Sequence, residues 1–165
     1  MKYHNITKCD ILNGAGVRTV LWVSGCTHAC KGCHNVVTWN PTVGLDFEVE
    51  ALKELMDALA NPYCDGLTLS GGDPLAPYNR EVIAHLVKLV KTIHPTKTIW
   101  IYTGYTFEEI EHSLNHILQY VDVVVDGKFK EELSDSSLKY RGSSNQRIID
   151  VQSTLKNKEI VLYME

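Results

Sequence analysis

The chain has no stretch of 18 or more apolar residues, and its first residues, Met1-Lys2-Tyr3-His4-Asn5, show no secretory-signal pattern. A cytoplasmic location with no membrane contact is therefore expected. A basic excess is missing too. The 16 Lys and Arg are outnumbered by 20 Asp and Glu, giving a net charge of −4, which argues against nucleic acid as a partner. Low-complexity segments, internal repeats and interdomain linkers are also absent, so one domain over 1–165 is expected. At 44% hydrophobic, a chain of that length can bury a real core. Five cysteines is an odd number in a chain without a secretory signal, which speaks against a disulfide framework.

Three of those cysteines are crowded together. Cys26, Cys30 and Cys33 lie in Gly25-Cys26-Thr27-His28-Ala29-Cys30-Lys31-Gly32-Cys33-His34, spaced C-x3-C-x2-C. Three thiolates so close can wrap one face of an iron–sulfur cube and leave one iron open to a small molecule; a purely electron-carrying cluster normally takes four. The alternative is a structural zinc with His28 or His34 as fourth ligand. Such sites usually draw on two separated ligand pairs, and here Cys9 and Cys64 stand alone. The spacing favours a cluster.

A second motif, Ser70-Gly71-Gly72-Asp73-Pro74, follows the apolar run Gly66-Leu67-Thr68-Leu69. This reads as a buried strand entering a loop. Glycines without side chains admit a ligand close to the backbone, and Pro74 holds Asp73 extended. The loop can present carbonyls and a carboxylate to an ammonium, or it can be an ordinary strand-end turn.

Strand and helix patterns alternate along the chain. Strands are predicted at Val17–Ser24, Leu67–Leu69, Thr98–Tyr102 and Val121–Val125, with further ones at Arg147–Ile149 and Ile160–Tyr163. Between them fall helical patterns: one capped by Asp46 and carrying Val49 to Leu59, one bearing Val82 to Ile93, and one opened by a Thr106/Glu109 capping box. Such alternation implies an α/β fold with mostly parallel strands, whose ligands bind beyond the strands' carboxyl ends. The cysteine loop, Gly71–Pro74, Thr103-Gly104-Tyr105 and Asp126-Gly127-Lys128 all fall at such ends. A closed eight-unit barrel takes roughly 250 residues. An incomplete, open β/α barrel is expected instead.

Together the C-x3-C-x2-C spacing and the Gly-Gly-acid turn resemble the radical S-adenosylmethionine superfamily. Asn13-Gly14-Ala15-Gly16-Val17-Arg18, Asn35 to Trp39, Trp100 to Tyr105, Val125 to Phe129 and Tyr140 to Arg147, in this order, resemble its family of activating proteins for anaerobic (class III) ribonucleoside-triphosphate reductases. The resemblance runs from about Tyr3 to Arg147. It implies a 4Fe–4S cluster on Cys26, Cys30 and Cys33, with S-adenosylmethionine on the open iron. Gly72 and Asp73 would hold the methionine ammonium, and Gly32, Cys33 and His34 would lie along the nucleoside. It further implies reductive cleavage of the cofactor and a glycyl radical left on the large subunit of the reductase, with electrons from a low-potential donor such as flavodoxin. No catalytic side chain is implied beyond cluster and cofactor. Two departures stand out: Asp73 where Glu is commoner, and Gly32 where many members carry an aromatic residue. The rival readings are an activase for another glycyl-radical enzyme of the pyruvate formate-lyase type, and a non-catalytic zinc module.

Other residues have two readings each. Arg18 is a surface charge or a site residue, and Asp126 caps a turn or faces the ligand. Arg141 and Arg147 flank either a solvated loop or a functional one. Trp39 and Trp100 are expected in core or wall, and Cys9 and Cys64 as small buried residues. A bulky side chain at Gly72 is expected to block the cofactor while sparing the cluster.

Overall fold

Residues 1–164 are described by a computed structural model. Eight strands, β1 (Lys2–Asp10), β2 (Arg18–Val23), β3 (Leu45–Asp46), β4 (Gly66–Gly71), β5 (Thr98–Tyr102), β6 (Val123–Asp126), β7 (Arg147–Asp150) and β8 (Leu162–Met164), form one sheet. Their order is β3-β1-β2-β4-β5-β6-β7-β8, so β3 and β8 are edges and the sheet does not close. Five helices accompany it: α1 (Val49–Leu59), α2 (Arg80–Ile93), α3 (Phe107–Ile110), α4 (Asn115–Leu118) and α5 (Val151–Asn157).

The four strands with the strongest apolar patterns are the parallel core. β2 pairs with β4, β4 with β5 and β5 with β6, all in parallel, and each connection carries a helix. Parallel neighbours need such crossovers, and their strands are buried on both faces, which is why β4 and β6 read as nearly continuous apolar runs.

Outside this core the expectation of mostly parallel strands fails. Three of the seven pairings are parallel and four antiparallel. Residues 127–146 hold only a single 3-10 turn, so no helix carries the chain across the sheet and β7 returns antiparallel to β6. At the other edge, β1 pairs antiparallel with β2 through a register interrupted between Tyr3 and Asn5 and again between Thr7 and Asp10. Those interruptions erase the period-two pattern that marks a strand in sequence. Asp46 does not cap α1: it belongs to β3 and pairs with Lys2 at 3.0 Å, and Glu48 occupies the N-cap position. The Thr106/Glu109 capping box forms, but its helix breaks into α3 and α4.

All five helices bury their apolar sides in one cluster on a single face of the sheet, around Leu21, Leu67, Leu69, Ile99, Ile101 and Val124. The other face has only a small core of Trp100, Val123, Val125 and Ile148, packed by Ala15, Tyr102, Tyr140 and Met164. With no helix there, that face is left to loops and to cavities.

Arg18 is neither a surface charge nor near the cysteine loop. It is fully buried at the amino ends of the parallel strands. Its guanidinium donates to Thr68 Oγ1 (2.7 Å), Leu67 O (2.7 Å), Thr98 O (2.9 Å), Thr98 Oγ1 (3.0 Å) and Ala15 O (3.0 Å), with Cζ 5.5 Å from the Trp100 ring centroid. Burial pushes its pKa down to about 10, and no carboxylate accepts from it. Deleting the guanidinium would strand the buried Leu67 carbonyl and the part-buried Ala15 and Thr98 carbonyls, each worth about 1–3 kcal/mol when unsatisfied. Arg18→Met is therefore expected to lower the urea midpoint by an amount equivalent to about 3 kcal/mol or more. An unchanged midpoint would show that these bonds contribute nothing net.

Candidate metal centre

The loops after β2, β4, β5 and β6 run to the same end of the sheet, as parallel strands require. There Cys26, Cys30 and Cys33 line one cavity of about 130 Å³ together with Ser70, Gly71, Gly72, Thr103, Gly104 and Gly127. His28, Asn35, Trp39, Tyr102, Phe129 and Gln146 complete the wall. Residues far apart in sequence are thus brought together by topology alone.

None of the three cysteines is in a disulfide, and each is half-buried. Burial pushes the Cys26 and Cys30 thiols up. The backbone amides of His28 and Ala29 oppose that shift at Cys26, as does the Phe129 amide at Cys30. The Asn35 N–H donates to Cys33 Sγ at 3.4 Å. Backbone donors thus attend each sulfur, an environment that suits anionic thiolate ligands. The base of the loop is zipped in place: Gly25 N–H donates to Thr38 O (2.6 Å), Cys26 N–H to Trp39 O (2.9 Å) and Asp73 N–H to Gly25 O (2.7 Å).

These residues fit an iron–sulfur cluster better than a single ion. Among the described residues, no three His, Cys, Asp or Glu side chains converge closely enough to hold one metal ion. A tetrahedral zinc needs its ligands about 2.0–2.3 Å from one centre. The two histidines it would recruit are engaged elsewhere: His28 Nε2 lies 2.7 Å from Asp73 Oδ2, and the His34 ring packs against Phe129 with centroids 5.2 Å apart. One further feature points to a ligand in the cavity. The Tyr102 hydroxyl is buried on its wall with no hydrogen-bond partner, and burial pushes its pKa up.

The residues expected at the cofactor divide into two groups. Gly72 lines the cavity. A Cβ on it would fall 2.4 Å from Gly25 O and 2.9 Å from Gly25 N, so even Ala would press on the base of the cysteine loop. Asp73 lies beneath the floor, 1% exposed. Its Oδ1 accepts from Leu75 N–H (2.8 Å) and Thr103 Oγ1 (3.0 Å); its Oδ2 accepts from Thr103 Oγ1 (3.0 Å), Gly104 N–H (3.0 Å) and His28 Nε2. Gly32 faces sideways, where a Cβ would meet the Glu131 carboxyl at 3.0 Å. His34 lines an adjoining cavity of about 490 Å³, which shares Cys33, Asn35, Ser70, Tyr102, Phe129 and Gln146 with the first.

Cys9 and Cys64 stand at the other end of the sheet. Cys64 is buried as expected, against Thr19 and Gly66, whereas Cys9 is exposed. Trp100 is core and Trp39 is cavity wall. Asp126 caps the start of α3, accepting from Phe107 N–H at 2.8 Å, and pairs with Arg147. Arg147 also forks onto Glu108 (2.9 and 2.7 Å) and ties β7 to α3. Arg141 donates to Gln146 O and reaches the adjoining cavity. A broader hollow of about 650 Å³ at the amino end includes Asp65, Asp122 and Asp150, each already accepting a backbone N–H. Sequence reasoning missed Tyr102, Gln146 and the His28–Asp73 pair; for His28 the signal was its place inside the cysteine motif.

A metal-cluster protein of α/β class is what this end of the sheet describes, and comparison with known proteins gives the same class. Residues 12–149 match the family described as 4Fe-4S single cluster domain. An activating protein of anaerobic ribonucleoside-triphosphate reductase from Enterobacteria phage T4 is 49% identical over 148 residues, covering 90% of this chain and 93% of the relative. Proteins of the same name from Vibrio cholerae (45% over 150 residues; 90% and 97%) and Escherichia coli K12 (42% over 152 residues; 88% and 96%) are similar along nearly their whole length. The chain belongs to the family of anaerobic ribonucleoside-triphosphate reductase-activating proteins. Among its described residues no helix is long and apolar enough to cross a membrane.

Two outcomes follow from the geometry. The expectation that a side chain at Gly72 spares the cluster does not survive this contact: Gly72→Ala is expected to lower the iron bound on anaerobic reconstitution, because its Cβ displaces Gly25; wild-type iron content would contradict this, with Cys9→Ala as a control that should bind iron normally. The second concerns pH. Arg147 holds the Glu108 carboxyl down to about 2 from its ordinary 4.5. A depressed carboxyl stabilises the fold above about 4.5, and that share is lost as pH falls toward about 2. Glu108 is largely exposed, so Glu108→Gln should cost only about 0.5–1 kcal/mol at pH 6 and nothing near pH 2. Equal denaturant midpoints at pH 6 would contradict it.

Proposed function

We propose that the chain activates an anaerobic ribonucleoside-triphosphate reductase as a radical S-adenosylmethionine oxidoreductase, its open sheet serving as the incomplete barrel of that superfamily. The observation that carries this reading is the family membership along nearly the full length of chain and relatives alike. The cavity shared by the three cysteines and Gly72 supports it.

In this reading Cys26, Cys30 and Cys33 ligate three irons of a 4Fe–4S cluster. Gly72, with the backbone of the turn that Asp73 braces, receives the methionine end of S-adenosylmethionine. Cys33 and His34, on a turn shaped by Gly32, flank the nucleoside in the adjoining cavity. Tyr102, whose hydroxyl has no protein partner, donates to a cofactor oxygen. A cluster so held would supply the electron for reductive cleavage of S-adenosylmethionine to methionine, with the hydrogen coming from a glycine Cα of the reductase. The chain's own task is to hold, orient and keep water away.

It cannot exclude water alone. Val36 and Val37, just past the cysteine loop, are 55% and 70% exposed, and Leu12, at the adjoining cavity, is 75% exposed. A reductase loop seated on that apolar rim closes the site as it delivers its glycine. Low-potential electrons come from a donor of the flavodoxin kind in an anaerobic cytoplasm.

The test mixes reduced protein, S-adenosylmethionine and the reductase subunit from the same source without oxygen. The expected result is a glycyl doublet in electron paramagnetic resonance, with 5′-deoxyadenosine in comparable amount. A doublet only on a formate-lyase-type partner would move the substrate to that enzyme. A colourless protein holding zinc, with no cleavage under any reductant, would overturn the chemistry altogether.

A further inference from the structure

The buried pair His28–Asp73 is the strongest feature of the site that the proposed function leaves without a role. His28 stands midway between Cys26 and Cys30, yet its side chain turns inward and is only 7% exposed. A carboxylate can only accept, so the 2.7 Å contact makes Nε2 the protonated nitrogen of the ring. The ring lies edge-on to Tyr105, centroids 4.6 Å apart. On its other side Gly104 comes so near that a Cβ there would fall 2.4 Å from His28 Cδ2. The imidazole is therefore held by a bond, an aromatic edge and a backbone at once.

Asp73 has no acceptor capacity left for an ammonium. A carboxylate offers about four lone-pair sites. The donors here are Leu75 N–H, Thr103 Oγ1, Gly104 N–H and His28 Nε2, with Thr103 shared between both oxygens. The ammonium of an amino acid would have to displace one of them in a place where Asp73 is 1% exposed.

The backbone above the ring is where this matters. Ala29, next to His28, has φ +48, a left-handed conformation that strains a residue with a Cβ. That turn joins Cys26 to Cys30, both of which line the cavity. Holding the turn requires an anchor, and the clamped His28 ring supplies it.

We propose that His28 is a positioning residue for the cluster: Asp73, bridging Thr103 and Gly104, grips its ring and so fixes the turn that carries Cys26 and Cys30. Asp73 then acts on the cluster through His28 and not as the acceptor of the cofactor's ammonium. The inference rests on the reading that the three cysteines hold a 4Fe–4S cluster.

The test is made before any S-adenosylmethionine is added. His28→Phe, His28→Gln, Asp73→Asn, Gly104→Ala and the double variant His28→Phe/Asp73→Asn are reconstituted anaerobically beside wild type. Iron and sulfide per chain and the spectrum of the reduced cluster are measured, and circular dichroism of the iron-free proteins checks the fold. Loss of a partner that orients a ligand typically weakens metal binding about 10–100-fold. His28→Phe and Asp73→Asn are each expected to lose affinity on that scale and to broaden the cluster signal with the fold intact. The double variant should be no worse than either single change. Gly104→Ala, pushing the ring from its other side, should share the defect, and His28→Gln, which keeps an N–H donor, should recover most of the cluster.

An Asp73→Asn protein with wild-type iron and spectrum that no longer responds to S-adenosylmethionine would overturn the inference and make Asp73 the ammonium ligand. Wild-type behaviour of His28→Phe would overturn it as well. Should His28→Phe fail to fold, cluster loss in folded Gly104→Ala still supports it, and a full cluster there contradicts it. If the wild-type chain itself binds no iron, the underlying reading falls, which is a different result from all of these.

Discussion

The Asp73 carboxylate binds the loops after β2, β4 and β5 to one another, and the shape of the cavity follows from that junction. It belongs to the β4 loop, takes Thr103 and Gly104 from the β5 loop, and takes His28 from the cysteine loop. A carboxylate with almost no solvent contact costs heavily unless its lone pairs are filled, so each donor depends on the others staying in place. Parallel pairing is the prior condition: β2, β4 and β5 lie side by side, so their loops are neighbours before any side chain acts. Gly72 and Gly104 then let backbone and ring approach to distances that no Cβ would permit.

The two ends of the same strands have different duties. At the amino end Arg18 fixes Ala15, Leu67 and Thr98 with bonds that face no cavity chemistry, and the acidic groups nearby are satisfied by backbone amides. At the carboxyl end there are three cysteines without disulfides, a tyrosine hydroxyl without a partner and apolar side chains in solvent. Unmet bonding capacity collects at one edge of the sheet. That asymmetry is what α/β folds use to separate stability from function.

Much of this was legible in the residues. β5 was predicted at Thr98–Tyr102 and is found there, because its apolar run is bounded by the Pro95–Lys97 turn and Thr103-Gly104. The meeting of the cysteine loop with Gly71–Pro74 followed from parallel topology. β1 was not legible, since its register shifts break the alternation, and the antiparallel return of β7 depends on a 127–146 segment that has no periodic pattern. Arg18 was ambiguous because a buried guanidinium satisfied by carbonyls leaves no mark in its own neighbourhood; its partners are 49 to 80 residues away apart from Ala15. The use of His28 was hidden for the same reason, its partner lying 45 residues downstream. Spacing names candidate ligands, whereas the groups that orient them are fixed by contacts between strands.

The central claim is an iron with an open position, held by Cys26, Cys30 and Cys33 and met by the amino-acid end of S-adenosylmethionine. The most direct measurement is pulsed electron–nuclear double resonance on the reduced, reconstituted protein, with S-adenosylmethionine labelled with nitrogen-15 at its amino group. The account predicts a nitrogen-15 hyperfine coupling to the cluster that appears when the labelled cofactor is added, and a cluster that no longer assembles when any one of the three cysteines is replaced. A fully formed cluster with no coupling to the label, however much cofactor is present, would contradict it.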